Sequence, residues 1–288
     1  QTEFECEFLG SIDTLINAQK LKTMAVVDPQ RSPGGLDIYE MPIKGHTYVM
    51  TVDVARGINN DYSAFIVVDA TKAPYKIVAK YRNNEIKPIV FPNMLKKVGD
   101  YYNKAYCLIE INDLGQQVAD AMQFELEYDN MMMVTQRGRA GQVLGGGFSG
   151  RGNQLGLRMT KGTKKIGTSN LKSLIEGDKL IVQDFDIIAE LSTFISRGKS
   201  FEAEQGAHDD LVMCLVVFSW CANQRYFKEL TNVDVRGQMF TEQQNAIEAD
   251  MAPFGFIDDG INDPDGNNNS FFDDAGELWH PVTYRKGE

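Results

Sequence analysis

The chain has 288 residues, 43% of them hydrophobic and 24% charged, with a net charge of −11. That composition and length suit a globular protein with one large core or two modest ones, and exclude a collagen-like or wholly disordered chain. No apolar run approaches the ~20 residues of a membrane span, and the negative sum argues against a uniformly basic nucleic-acid coat.

The four cysteines, Cys6, Cys107, Cys214 and Cys221, form no CxxC pair, and with three histidines in the whole chain a structural zinc site is not expected. Cys107 and Cys214 lie inside apolar runs, where a thiol is most often buried and free. The chain begins at Gln1 with no initiator Met and no signal-peptide core, and it reads as a piece of a longer cytoplasmic protein.

In chain order, residues 46–54 (HTYVMTVDV) alternate and are rich in β-branched side chains, the pattern of a strand, and 63–69 (SAFIVVD) and 75–81 (YKIVAKY) follow at hairpin-like spacing. Residues 92–104 carry a helical period, 105–111 (AYCLIEI) a short apolar strand, 114–126 a helix and 131–134 a strand. A glycine-rich stretch covers 138–156. A helix is expected over 167–177, a strand over 179–182, a helix over 187–196 and a long apolar helix over 208–223. Meandering strands followed by strand–helix alternation predict an α/β fold, a mixed central sheet flanked by helices. Residues 1–45 are expected to be an N-terminal extension and 46–235 the folded domain. Residues 236–288 hold eleven acids against three bases, a net −8, and read as an acidic, mobile or partly docked C-terminal extension. Its Asp/Asn/Gly cluster lacks the register of a calcium loop.

Three groups of acids stand out. Asp53 interrupts the apolar first strand, Glu110 ends the strand that looks buried on both faces, and Asp209 and Asp210 open the apolar helix. Each has a local explanation. An acid at a helix start is a routine N-cap worth ~1 kcal/mol, and Asp53 could face solvent. Glu110 has less excuse, because an unpaired buried carboxylate costs several kcal/mol. If the acids converge at one end of the sheet, they repel one another unless cations sit among them. All-oxygen ligands favour magnesium or manganese over zinc, and such a cluster suits two-metal phosphoryl chemistry.

Four segments carry a family resemblance: VDVARGINNDYSAFIVVD (52–69), LIEIND (108–113), GLRMTKGTKKIGTSNLKSLIEGDKLIV (156–182) and EAEQGAHDDLVMCLV (202–216). In order and spacing they resemble the nuclease domain of the large terminase subunits of T-even-like tailed bacteriophages, the DNA-packaging motor proteins. The resemblance runs over about residues 1–235. It implies a ribonuclease-H-like fold, shared with resolvases and integrases. It also implies an Mg2+-dependent endonuclease, Mn2+ substituting, that holds two ions when DNA is bound and cuts double-stranded DNA with little sequence preference. On the same resemblance, Asp53, Glu110 and either Asp209 or Asp210, with Asp209 favoured, are the metal ligands and catalytic acids. His208 either assists, by orienting water or contacting phosphate, or caps and packs. The family joins this nuclease to an ATPase, but no GxxxxGK[ST] loop is found here. The implied setting is the host-cell cytoplasm, with the ATPase domain, the small subunit and the portal or procapsid as partners.

Eight bases, Arg137, Arg139, Arg151, Arg158, Lys161, Lys164, Lys165 and Lys172, fall in a stretch with no acid before Glu176. Either they form a solvated loop, or they neutralise DNA phosphates without reading sequence. Their place among the acidic motifs favours DNA. Two rivals stand beside the endonuclease: a junction-specific resolvase, and a DNA-clamping and portal-docking module without catalysis.

Overall fold

A computed structural model describes residues 13–55, 62–137, 141–145, 153–198 and 200–231, with the backbone of 271–272 and 278–279. The chain divides into two units, Gln1–Gln238 and Met239–Glu288.

The first unit opens with helix α1 (Ala18–Thr23), capped by the side chain of Asn17, and strand β1 (Leu36–Ile38). Strands β2 (Tyr48–Asp53), β3 (Ser63–Asp69) and β4 (Tyr75–Asn83) follow. Next come helix α2 (Phe91–Tyr101), strand β5 (Tyr106–Ile109) and helix α3 (Gly115–Asp120), which runs into a π-helical turn, Ala121–Glu125. Strands β6 (Met133–Arg137), β7 (Gly141–Gly145) and β8 (Asn153–Leu155) precede helix α4 (Lys161–Glu176). Strand β9 (Leu180–Ile181), helix α5 (Phe185–Thr193), the hairpin of β10 (Phe194–Arg197) and β11 (Ser200–Ala203), and helices α6 (Asp210–Ala222) and α7 (Arg225–Thr231) complete it. In the second unit, β12 (Phe271–Phe272) and β13 (Leu278–Trp279) pair antiparallel.

The central sheet runs β1-β4-β3-β2-β5, with β9 beside β4. All pairings in that path are antiparallel except β2 with β5, which is parallel. Alternate side chains feed two cores. Val49, Ile66, Val68 and Leu108 pack with α4, α5 and α6 on one face. Met50, Val52, Phe65, Cys107 and Ile109 pack with Phe91, Leu95 and Val118 from α2 and α3 on the other. Because both faces are covered, the strands read as nearly continuous apolar runs. Helix α6 is buried from Leu211 to Ala222, as a helix apolar on all sides must be. Helix α4 crosses it at Gly167, where an added Cβ would stand 2.6 Å from Val216 Cγ1 and 2.7 Å from its carbonyl oxygen.

Residues 13–45 add to the folded body: β1 is a strand of the main sheet, and Leu15, Ile16 and Leu21 are buried in its core. Within the glycine-rich stretch, β7 and β8 flank β6 in a three-stranded antiparallel sheet. Two expectations are corrected. The helix expected from 167 begins at Lys161, where Thr160 accepts from the Thr163 N–H and starts it six residues earlier. The helix expected to reach 196 stops at Thr193 and gives way to the β10–β11 hairpin. The readings of Cys6 and of nearly all the acidic extension lie outside the described residues.

Candidate active site

Parallel pairing of β2 with β5 sets the first two acids side by side. Val52 lies opposite Ile109, and the Glu110 N–H donates to the Val52 carbonyl at 2.9 Å, so Asp53 and Glu110 leave the carboxyl ends of neighbouring strands. The face they share is that of α6. Thr51, two residues before Asp53, donates its hydroxyl to the Cys214 carbonyl at 2.9 Å, and Leu108, two before Glu110, packs in the α6 core. With period-two alternation, Asp53 and Glu110 follow onto that side rather than facing bulk solvent.

The end of β5 is held by two close backbone approaches. Leu157 donates to the Ile109 carbonyl at 2.8 Å and accepts from the Ile111 N–H at 2.9 Å. Gly156, at φ +93°, makes this possible, since a Cβ there would stand 2.4 Å from the Ile109 carbonyl oxygen. Gly115 lies so close on the other side that a Cβ would overlap the Glu110 carbonyl oxygen at 1.8 Å. The side chain of Glu110 is buried; Asn112 donates to Oε1 at 3.0 Å, whereas Oε2 has no hydrogen-bond partner among the described residues.

The start of α6 brings the remaining acids. Asp209 is its N-cap residue, yet its side chain makes no capping bond. The capping is done from α5 by Glu190, whose Oε2 accepts from the Leu211 N–H at 2.9 Å and the Val212 N–H at 3.1 Å. Arg82 of β4 donates to Glu190 Oε1 at 2.8 Å, with its guanidinium 4.9 Å from the centre of the Tyr62 ring. Tyr62 in turn stands edge-on to His208 at 5.0 Å and donates its backbone N–H to Asp210 Oδ1 at 3.4 Å. His208 Nδ1 lies 3.8 Å from Asp210 Oδ2. Below this, buried Lys80 draws together Asp37 at 2.8 Å, Asp184 at 3.1 Å and Asp186 at 2.6 Å. Tyr39 donates to Asp184 as well, so α5 is tied to the sheet by charge.

The acids act on one another. Burial pushes Asp53 well above the usual carboxylate range, and repulsion from Glu110, Asp210 and Asp209 adds to it. Burial lifts Glu110 to about 7, with Asp209 adding and Lys164 opposing. Lys164, 3.9 Å from Asp209 Oδ2, supplies a positive charge here. Such a set can hold a cation or a shared proton. Among the described residues, no three His, Cys, Asp or Glu side chains stand in the arrangement of a finished metal site.

The structure thus brings together Asp53, Glu110, Asp209, Asp210 and His208. Of the eight bases, Arg158, Lys161, Lys165 and Lys172 are exposed, the three lysines on α4 and Arg158 just before it, and Lys172 lies 3.9 Å from Glu176. Arg137 ends β6. Arg139 and Arg151 lie outside the described residues. Sequence reasoning missed Glu190, Arg82 and Tyr62. A signal for Glu190 was present, because it is the lone acid on the stripe of Ile187 and Leu191.

Residues 50–218 match the family model described as the terminase RNaseH-like domain. Among solved structures, the large terminase nuclease from thermophilic phage G20c with bound cobalt is similar at 20% identity and a TM-score of 0.56, covering 73% of this chain and 97% of that one. The same nuclease with bound magnesium gives 21% identity and a TM-score of 0.56 over the same shares. A further structure of it gives 22% and 0.52 over 72% of this chain and 97% of that one. These likenesses bear out the expected fold. With the family model spanning more than half of its length, the chain belongs to the terminase RNase H-like domain family.

Proposed function

We propose that this domain is a divalent-metal-dependent endonuclease that cuts double-stranded DNA with little sequence preference, trimming concatemeric viral DNA when packaging begins and ends. The observation that carries this reading is the convergence of Asp53, Glu110, Asp209 and Asp210 from two parallel strand ends and one helix start. Open α/β sheets place their ligands outside the carboxyl ends of their strands, and Asp53 and Glu110 leave two such neighbouring ends.

The residues fit a hard divalent cation. All four acids offer oxygen, Glu110 Oε2 is buried without a hydrogen-bond partner among the described residues, and mutual repulsion is relieved by a positive ion. The bound magnesium and cobalt of the G20c nuclease support the same class of ion here. We infer Mg2+, with Mn2+ as substitute and two ions once DNA is bound. A bound ion would supply Lewis-acid polarisation of the phosphate and would acidify a water in its shell. Asp53, Glu110 and Asp209 would hold it, and Asp210 and its neighbour His208 would orient water or meet the phosphate. Glu190 and Arg82 fix the start of α6 and with it the spacing of Asp209 and Asp210. Arg158, Lys161, Lys165 and Lys172, joined by Arg137, Arg139 and Arg151, neutralise DNA phosphates.

The partners that follow are double-stranded DNA, the packaging ATPase domain, the small subunit and the portal or procapsid, the last contacted through residues 236–288, all in the host-cell cytoplasm. Among the described residues, no helix is long and apolar enough to cross a membrane. The test offers linear duplex and a four-way junction in Mg2+ and in EDTA. Sequence-independent duplex cutting in Mg2+ alone is expected. Cutting confined to the junction would identify a resolvase, and DNA binding without cutting would identify a clamp.

A further inference from the structure

The carboxylate cluster carries a cation of its own. Lys164 Nζ lies 3.9 Å from Asp209 Oδ2, and the side chain is only 19% exposed. Its charge also reaches Glu110, and its ammonium stands 5.6 Å from the centre of the Phe194 ring. Neighbouring Lys161 and Lys165 on the same helix are exposed, as a lysine waiting for a phosphate backbone should be. Lys164 is turned inward instead.

Backbone packing sets that placement. Gly167 seats α4 against the carbonyl of Val216 in α6, and Lys164, one turn earlier on α4, is thereby drawn alongside the start of α6. Thr160 fixes where α4 begins, accepting from the Thr163 N–H at 3.1 Å. Any larger residue at 167 would push the two helices apart and withdraw the ammonium from Asp209.

We propose that Lys164 is an internal counter-ion of the site, meeting part of the charge demand of Asp209 and Glu110 until a divalent cation takes it over and leaves the ammonium to a DNA phosphate. The inference rests on the metal-site reading above and goes beyond it. Lysine and metal compete for the same oxygens, so removing the lysine charge must strengthen metal binding while weakening DNA cutting. Simple loss of structure would weaken both.

The test is calorimetric titration of Mn2+ into the full chain without DNA, beside thermal melting with and without Mn2+, for wild type, Lys164→Gln and Lys164→Arg. A unit positive charge ~6 Å from a dication is worth at least about a tenfold change in affinity, the value in the dielectric of water. Lys164→Gln is expected to bind Mn2+ about that much more tightly, melt lower without metal, and gain more from Mn2+ than wild type. Lys164→Arg is expected to keep the wild-type affinity. Equal or weaker Mn2+ binding by Lys164→Gln, beside a wild type that does bind, overturns the counter-ion alone. A wild type that binds no Mn2+ overturns the metal site and the counter-ion together.

Discussion

Replacing Glu190 with alanine should release the start of α6 and scatter the acids it carries. Glu190 is 5% exposed and accepts two backbone N–H groups at 2.9 and 3.1 Å and a guanidinium N–H at 2.8 Å. Hydrogen bonds to a charged partner contribute ~1.5–3 kcal/mol each, and removing one member of a buried pair costs ~3–5 kcal/mol. Those figures describe overlapping losses. The Arg82 side chain is 25% exposed and recovers part of its hydration, so Glu190→Ala should cost about 3–4 kcal/mol in all. Glu190→Gln keeps a carbonyl oxygen for the two N–H groups but turns its amide nitrogen, a donor, toward the Arg82 guanidinium, losing the charge and that hydrogen bond at about 2–3 kcal/mol. Urea unfolding at constant m measures both, and a double-mutant cycle with Arg82→Met isolates the pair. Because Asp209 and Asp210 ride on the same helix start, Mn2+ affinity should fall in the same order. Glu190→Ala within ~1 kcal/mol of wild type, with unchanged Mn2+ affinity, would refute the capping role.

Gly156→Ala should destabilise by at least ~3 kcal/mol, since it combines a strained positive φ with a clash against the Ile109 carbonyl; a wild-type melting temperature would show that β5 does not need this approach. Without metal, folded Glu110 sits at about 7 against an ordinary 4.5. The folded state therefore binds more protons between those values, and this group's contribution to stability falls as pH rises through that window. Melting temperature against pH in EDTA should show that decline, and Glu110→Gln should remove it; a decline of the same size in both proteins would contradict the assignment. Replacing Arg158, Lys161 and Lys165 by Ala should leave stability within ~0.5 kcal/mol. It should also reduce the salt slope of DNA binding by roughly one for each phosphate left without its cation, whereas an unchanged slope would remove them from the DNA surface.

Much of the site was legible because a charged residue inside an apolar run demands an explanation. Asp53, Glu110 and the Asp209–Asp210 pair could be picked out on that ground, and the structure places them together. What sequence could not show is partnership at a distance. Arg82 and Glu190 are 108 residues apart, and neither local propensity nor period links them, so the capping of α6 by Glu190 stayed out of sight. Asp209 looks like an N-cap by position and makes no capping bond. The start of α4 was hidden by Gly162, Thr163, Gly167 and Thr168, poor helix formers whose helical state is set by Thr160 capping and by packing on α6. Strands β7 and β8 were hidden in the same way, because glycine at both ends of β7 and the polar Asn153 and Gln154 of three-residue β8 give little strand preference, and pairing with β6 makes them regular. Strand β1, three residues long, has no period to detect.

The most direct measurement is cleavage of supercoiled plasmid across a magnesium titration, wild type beside Asp53→Asn. Nicking and linearisation that require magnesium, and that the substitution abolishes while leaving the fold intact by circular dichroism, are the predicted result. Cleavage that survives Asp53→Asn, or DNA binding with no cleavage at any magnesium or manganese concentration, would contradict a metal-dependent nuclease built on these carboxylates.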